Sequence, residues 1–170
     1  MSYVYHLVPP AMEGTTLYPL NELKESFPEI YAAEVAKYRG REQKLNCRIP
    51  VLENCLWNDV LFLTAVHPVE FKKAYTSVLP LSWKFRYFQI PIDLLDPTRM
   101  AIKQLPNDQT PEYEKFDRRR LEHYATIPPE TFQYWRKAFE LGNRPLLYLH
   151  IPHILYRGTI DVSSTSIVEV

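Results

Sequence analysis

Two histidines stand inside apolar runs at opposite ends of this chain. His6 lies in Tyr3-Val4-Tyr5-His6-Leu7, and His153 in Leu149-His150-Ile151-Pro152-His153-Ile154-Leu155-Tyr156. An imidazole titrates near neutrality, so it can accept a hydrogen bond, donate one, or move a proton at pH 7. An aliphatic side chain would be easier to bury at either position. The pair therefore marks a candidate polar site built on a sheet. The competing reading is that each ring is a satisfied core group, the commoner outcome for one histidine in an apolar strand. The site requires the first and last strands to lie side by side, with both rings facing one ligand-sized hollow.

Other residue groups carry weaker chemistry. His150-x-x-His153 is half of a metal site that would need His6 as a third ligand. Residues three apart on a strand point to opposite faces, so a break at Pro152 would be required, and no metal is expected. Cys47 and Cys55 are eight positions apart, which is not a zinc spacing. Cys55 with His67 and Asp59 could form a thiol nucleophile, but no helix N-terminus at Cys55 activates it, and a buried cysteine is the better reading. Arg39-Gly40-Arg41-Glu42 offers two guanidiniums that could fork onto a phosphate, or is a solvated turn. Glu42 and Glu53 act as acids only if folded toward the histidines. The many tyrosines and tryptophans could stack on a planar ligand, though most fall at core spacing.

The bulk numbers exclude several classes. Lys plus Arg and Asp plus Glu are both 20, giving zero net charge, so no global basic field attracts nucleic acid. Arg118-Arg119-Arg120 is a local basic run largely offset by Glu112, Glu114, Asp117 and Glu122. Four glycines and no Gly-x-Ser-x-Gly leave neither a glycine-rich phosphate loop nor a serine-hydrolase elbow. No run approaches the ~20 apolar residues that span a bilayer. Without a signal-like segment, the cytoplasm is the expected compartment and reduced thiols the expectation. A secreted effector is the alternative. The 170 residues predict one domain, 1–170.

The elements that would position the histidines follow from pattern. Tyr3 to Val8 reads as a strand stopped by Pro9-Pro10. Asn21 and Ser26 are candidate helix caps, with Pro28 in the first turn of the second helix. Cys47 to Leu52 is expected as an edge strand. Val60 to Thr64 is an apolar strand, after which Thr64 to His67 start a helix with Pro68 inside its first turn, running to about Val78. Lys84 to Ile92 alternates as a strand, and Met100 to Leu105 is another. Residues 106–114 read as a polar loop and 115–124 as a weak charged helix. Pro128-Pro129-Glu130 opens a firmer helix ended by Gly142. Strands are expected at Pro145 to His150, His153 to Tyr156 and Ser166 to Val170. Strands and helices in this order give an α+β fold.

Three segments together resemble the ADP-ribosyltransferase-like superfamily. Tyr5-His6-Leu7 is similar to its Y-H-hydrophobic first strand. The stretch from Val60 to Tyr75 resembles its middle element, an apolar strand ending in Ser or Thr and then a helix ending near Ala-Tyr. Ile151-Pro152-His153-Ile154-Leu155-Tyr156-Arg157-Gly158 is similar to the F-P-H-x-Y-G ending of a small bacterial branch that also opens with Y-H-I. Phe88 to Pro97 fits the strand-then-turn core between them.

The resemblance implies a split, bent, mostly antiparallel sheet with flanking helices that clamps NAD in a cleft. It implies His6 on the adenosine ribose or nearby backbone, Thr64 at the nicotinamide side, and Tyr75 stacked on the nicotinamide ring. Arg39 or Arg41 would grip the pyrophosphate. His153 would occupy roughly the place of the usual catalytic glutamate, so His6 and His153 become the candidate catalytic pair. Loss of that carboxylate leaves three expectations: an altered transferase, a phosphate-directed transferase, or a non-catalytic module that binds a nucleotide or a protein partner. The partners expected are a nucleotide ligand and a macromolecular acceptor, with no membrane and no nucleic-acid footprint.

Overall fold

A computed structural model describes residues 2–80, 82–106 and 110–170. The chain opens with β1 (Tyr3–Leu7) and β2 (Thr16–Leu17), then α1 (Leu20–Ser26) and α2 (Pro28–Ala36). Next come β3 (Val60–Leu63), α3 (Pro68–Thr76), β4 (Arg86–Pro91), β5 (Met100–Gln104) and β6 (Glu112–Lys115). The chain closes with α4 (Leu121–Tyr124), α5 (Pro129–Glu140), β7 (His153–Arg157), β8 (Ile160–Asp161) and β9 (Ser166–Glu169). All strand pairings are antiparallel, and the fold is α+β.

Proline places the helix starts. Pro28, Pro68 and Pro129 each occupy the first turn of a helix, where the missing N–H has no partner to lose. Asn21 and Ser26 do not cap. Pro19 and Phe27 hold those positions, and the Asn21 amide is drawn instead to Asp59 and Asn58.

Two expected strands are absent. Residues 42–46 form a 3-10 turn, and the chain to Cys55 folds into a loop pinned by the bond from Ile49 N–H to the Cys55 carbonyl, 2.9 Å. Pro50 withholds the donor that a strand there would need. Residues 145–150 form a turn, in which His150 adopts φ 69°. That left-handed backbone ends any strand before Ile151. The charged run 115–124 is a 3-10 turn plus one short helix rather than a continuous helix. The polar loop expected over 106–114 is in part strand β6, and its residues 107–109 lie outside the described residues.

Two sheets do the positioning. One has the order β1-β4-β9, the other β3-β7-β5-β6. They touch through one backbone pair: Tyr5 N–H donates to the Thr64 carbonyl at 2.8 Å, and Thr64 N–H to the Tyr5 carbonyl at 2.9 Å. Beyond it β1 follows β4 and β3 follows β7, so the strands diverge. Backbone groups alternate sides along an antiparallel strand. Leu7 and Phe62, two residues from the bridge on each strand, therefore turn their backbone polar groups toward the gap.

Three apolar clusters hold this frame. The largest packs Val4, Phe88 and Ile90 of the first sheet against Leu63, Ile102 and Ile154 of the second. A second puts Ile49, Leu52 and Cys55 over Val60, Ala101 and Leu155. The third seats α3 and α5 together through Phe71, Tyr75 and Trp135. Each such side chain contributes about 1.5–3 kcal/mol by leaving water.

The β7–β8 turn depends on Gly158. It adopts φ +99°, and an added Cβ would collide with the Arg99 guanidinium, which lies 5.4 Å from the Tyr156 ring centre. Gly158→Ala is expected to lower stability by about 2 kcal/mol, from backbone strain and a displaced arginine. Thermal unfolding checks this, and an unchanged melting temperature contradicts it.

Candidate functional site

The gap beyond the Tyr5–Thr64 bridge holds two hollows. The smaller, about 110 Å³, is lined by His6, Thr64, Tyr87, Tyr148 and His153, with Phe62 among its apolar neighbours. The larger, about 320 Å³, lies between β1, the 8–13 loop, α1, α2 and β3. His6, Leu7 and Phe62 belong to both, so the hollows adjoin along the diverging strands. Small-molecule sites measure ~300–1,000 Å³. The larger hollow reaches that range, and the smaller has room for a single ring.

The first and last strands are not neighbours. β3 stands between β1 and the strand that carries His153, while the last strand, β9, pairs with β4. Both residues line the smaller hollow, but their rings do not share a face: Tyr5 is the partner of Thr64, so His6, next to Tyr5, points to the opposite side from Thr64, Phe62 and His153. His6 sits beside Phe88 in register on β4. His153 opens β7 beside Lys103 of β5. Phe62 and Tyr148 meet the His153 ring edge-on, each with centroids 6.2 Å away.

Both rings are electrically neutral at pH 7. Burial drives the His6 pKa down to about 4. Burial, with the Lys103 charge adding to it, drives that of His153 down to about 3. Each Nδ1 meets a backbone carbonyl: His6 to Leu7 at 2.6 Å and His153 to Ile151 at 2.9 Å. A carbonyl only accepts, so in a neutral ring Nδ1 carries the proton and Nε2 is left as a bare acceptor. Each ring thus offers one fixed lone pair, that of His153 on the Thr64 face and that of His6 on the opposite face.

Hydroxyls complete the smaller hollow. Thr64 is 8% exposed, and its Oγ1 accepts from Val66 N–H at 3.1 Å, leaving its own proton available. Tyr87 and Tyr148 share one hydrogen bond, 2.6 Å between oxygens. One hydroxyl donates to the other, so the pair retains one proton to give. Burial pushes the Tyr87 phenol up to about 12 and raises Tyr148 as well, so both stay neutral. One acceptor and two donors, none charged, suit a neutral polar group such as a sugar diol or a carboxamide.

Of the sequence-derived candidates, His6, Thr64 and His153 are brought together. Tyr75 is not with them. It is 2% exposed, held among Phe71, Trp83 and Trp135, and lines neither hollow. Arg39 and Arg41 are exposed in the turn after α2. The Arg41 guanidinium lies 5.8 Å from the Tyr38 ring and donates to the Lys37 carbonyl. Tyr38 lines the larger hollow, but neither arginine does. Glu42 is exposed and accepts from Gly40 N–H at 2.9 Å, and Glu53 is also exposed. The Cys55 thiol is pushed up by burial, the opposite of nucleophile activation. Cys47 and Cys55 are both free. The His150 ring is tied to the Leu105 carbonyl at 2.9 Å. Among the described residues no cluster of three or more His, Cys, Asp or Glu could hold a metal ion.

Pattern alone missed Tyr87, Tyr148 and Asn58. Tyr87 was legible only as one face of a strand. Tyr148 was assigned to a strand that does not form. Asn58 lines the larger hollow and is 9% exposed. It donates to Asn21, which in turn donates to the Asp59 carboxylate. Because a carboxylate can only accept, this chain of amides has one direction. The signal was the polar pair Asn58-Asp59 beside an apolar strand.

No helix among the described residues is long and apolar enough to cross a membrane. Comparison with protein-family models, with curated proteins and with solved structures found no match to this chain.

Proposed function

We propose that the split between the two sheets is a nucleotide site of the NAD class, and that the chain transfers ADP-ribose from NAD to an acceptor. One observation carries this reading: neutral His153, with a bare Nε2, lines one hollow with Thr64 and a tyrosine pair, beside a larger, mostly apolar hollow that His6 also borders. The ring-sized hollow suits the nicotinamide end, and the larger one suits the adenosine end. The split sheet and the meeting of His6, Thr64 and His153 agree with the resemblance to the ADP-ribosyltransferase-like superfamily.

The chemistry follows from the groups present. Breaking the bond between ribose C1′ and the nicotinamide nitrogen sends the electron pair to nicotinamide, which leaves neutral. The ribose passes through an oxocarbenium-like state, which electron-rich groups stabilise. The His153 Nε2 lone pair can accept from a ribose hydroxyl, and the proton of the acceptor leaves to water, since a ring with a pKa near 3 is too weak a base to take it at pH 7. His6 orients the adenosine ribose by the same kind of bond, from the other face of β1. No carboxylate lines the smaller hollow. That feature favours a second reading, a non-catalytic nucleotide-binding or partner-binding domain on the same scaffold.

Two measurements separate the readings. Transfer predicts that NAD raises the melting temperature and that free nicotinamide accumulates when a cell lysate supplies acceptors. The binding reading predicts stabilisation without nicotinamide release. The absence of both stabilisation and turnover with NAD rules out transfer and nucleotide binding together and leaves the partner-binding domain.

A further inference from the structure

The cations around the cleft differ in what surrounds them. Lys37 lines the larger hollow but is bound to Glu34, which lines it too, at 2.5 Å. Arg39, Arg41 and Lys103 line neither hollow, but Lys103 borders a wall residue of each. It projects from β5 on the same face as its register partner His153 on β7 and Tyr113 on β6, since cross-strand partners share a face. Its Nζ lies 5.1 Å from the centre of the Trp57 ring, and Trp57 walls the larger hollow.

The groups facing this ammonium are the Trp57 ring, neutral His153, the Tyr113 phenol and a second cation, Lys44. Among the described residues no carboxylate pairs with Lys103. A half-buried ammonium without a counter-ion holds an unmet electrostatic demand. It is one side chain away from each hollow, through His153 to the smaller and Trp57 to the larger.

We propose that Lys103 is the phosphoryl-binding residue of the cleft, taking an anionic oxygen of the bound nucleotide where the two hollows meet. The inference rests on the nucleotide reading but assigns a subsite that can be probed without a nucleotide. Lysine binds phosphate as a point charge on a flexible stem, so the four-carbon chain can swing its head off Trp57 toward the ligand. Burial, with Lys44 adding to it, lowers its pKa to about 8. It therefore still carries its proton at pH 7 and loses it just above.

The probe is inorganic pyrophosphate, followed by the melting temperature, with sodium chloride at matched ionic strength and adenosine as controls. Pyrophosphate is expected to stabilise the wild type, chloride to do nothing, and the effect to fade above pH 8 as Lys103 deprotonates. Lys103→Met keeps the stem and removes the charge. It should bind pyrophosphate at least tenfold more weakly with adenosine binding unchanged, and Lys103→Arg should restore part of the loss. An equal response in wild type and Lys103→Met overturns the proposal, as does no pyrophosphate response or a matching one with chloride. If that equal response disappears in Arg39→Ala or Arg41→Ala, the anion sits at the turn instead. A Lys103-dependent pyrophosphate response without any NAD response retains the anion subsite and removes the NAD reading. NAD binding that is indifferent to Lys103→Met does the reverse.

Discussion

His153→Gln is expected to cut nicotinamide release from NAD by about tenfold, the cost of losing one hydrogen bond that holds the ribose in the transition state. Glutamine is close in size and can still donate to the Ile151 carbonyl, which now holds the imidazole at 2.9 Å. What it lacks is an acceptor at the position of Nε2. The ring sits edge-on between Phe62 and Tyr148, so the packing survives the exchange while the acceptor does not. His6→Gln should act differently, raising KM more than it lowers kcat, because His6 is assigned an orienting role on the ribose. Wild-type turnover in His153→Gln sinks the transfer mechanism. A pH profile adds a check. With the imidazole held neutral down to about pH 3, its titration contributes no inflection near 6.5, where an ordinary histidine would place one.

The same two rings should make the protein acid-labile at an unusually high pH. A histidine whose folded pKa is depressed binds a proton in the unfolded chain before it does so in the native one. Its neutral form costs nothing above the unfolded value of about 6.5. As pH falls below that, the unfolded state gains protons and native stability declines. The decline continues to about pH 4 for His6 and about pH 3 for His153. Each group gives a slope of at most about 1.4 kcal/mol per pH unit. Solvent still reaches both rings, which trims the combined loss to about 2 kcal/mol between pH 6.5 and 4. The carboxylates whose pKa hydrogen bonds hold down, Asp93, Asp96, Asp117 and Asp161 among them, lie at the surface, with Asp117 half-buried. They too lose stability as pH falls, but through the lower range where carboxylates titrate. Urea unfolding of the wild type and of the His6→Gln/His153→Gln double variant, at pH 7, 6, 5 and 4, isolates the histidines. The double variant should lose much less over that window. Parallel curves contradict neutral, desolvated imidazoles.

How much was legible before folding can be argued from particular residues. Strands with strong apolar runs, Tyr3–Leu7, Val60–Leu63 and Met100–Gln104, are local facts of composition, as are helices opened by Pro28, Pro68 and Pro129. Where the local signal was ambiguous, tertiary contacts decided. The run from Pro145 to His150 has strand-forming residues, yet His150 takes a left-handed backbone and places Tyr148 against Tyr87 instead. Tyr75 lies at a plausible helical position for stacking, but which face of α3 meets α5 is fixed by Trp135, far away in sequence.

The sequence by itself determined that imidazoles would stand in buried strands, that no charge field would define the protein, and that Thr64 would end an apolar strand. These are properties of single residues and their near neighbours. Only the tertiary structure decided that His6, Thr64 and His153 share a hollow while Arg39 and Arg41 stay outside. That outcome rests on one non-local backbone pair, Tyr5 with Thr64, beyond which two sheets part. Burial, rather than residue type, then holds both rings neutral and leaves Lys103 without a counter-ion among the described residues. No periodicity in a chain encodes how deeply a group will be desolvated, because that depends on every element packed over it.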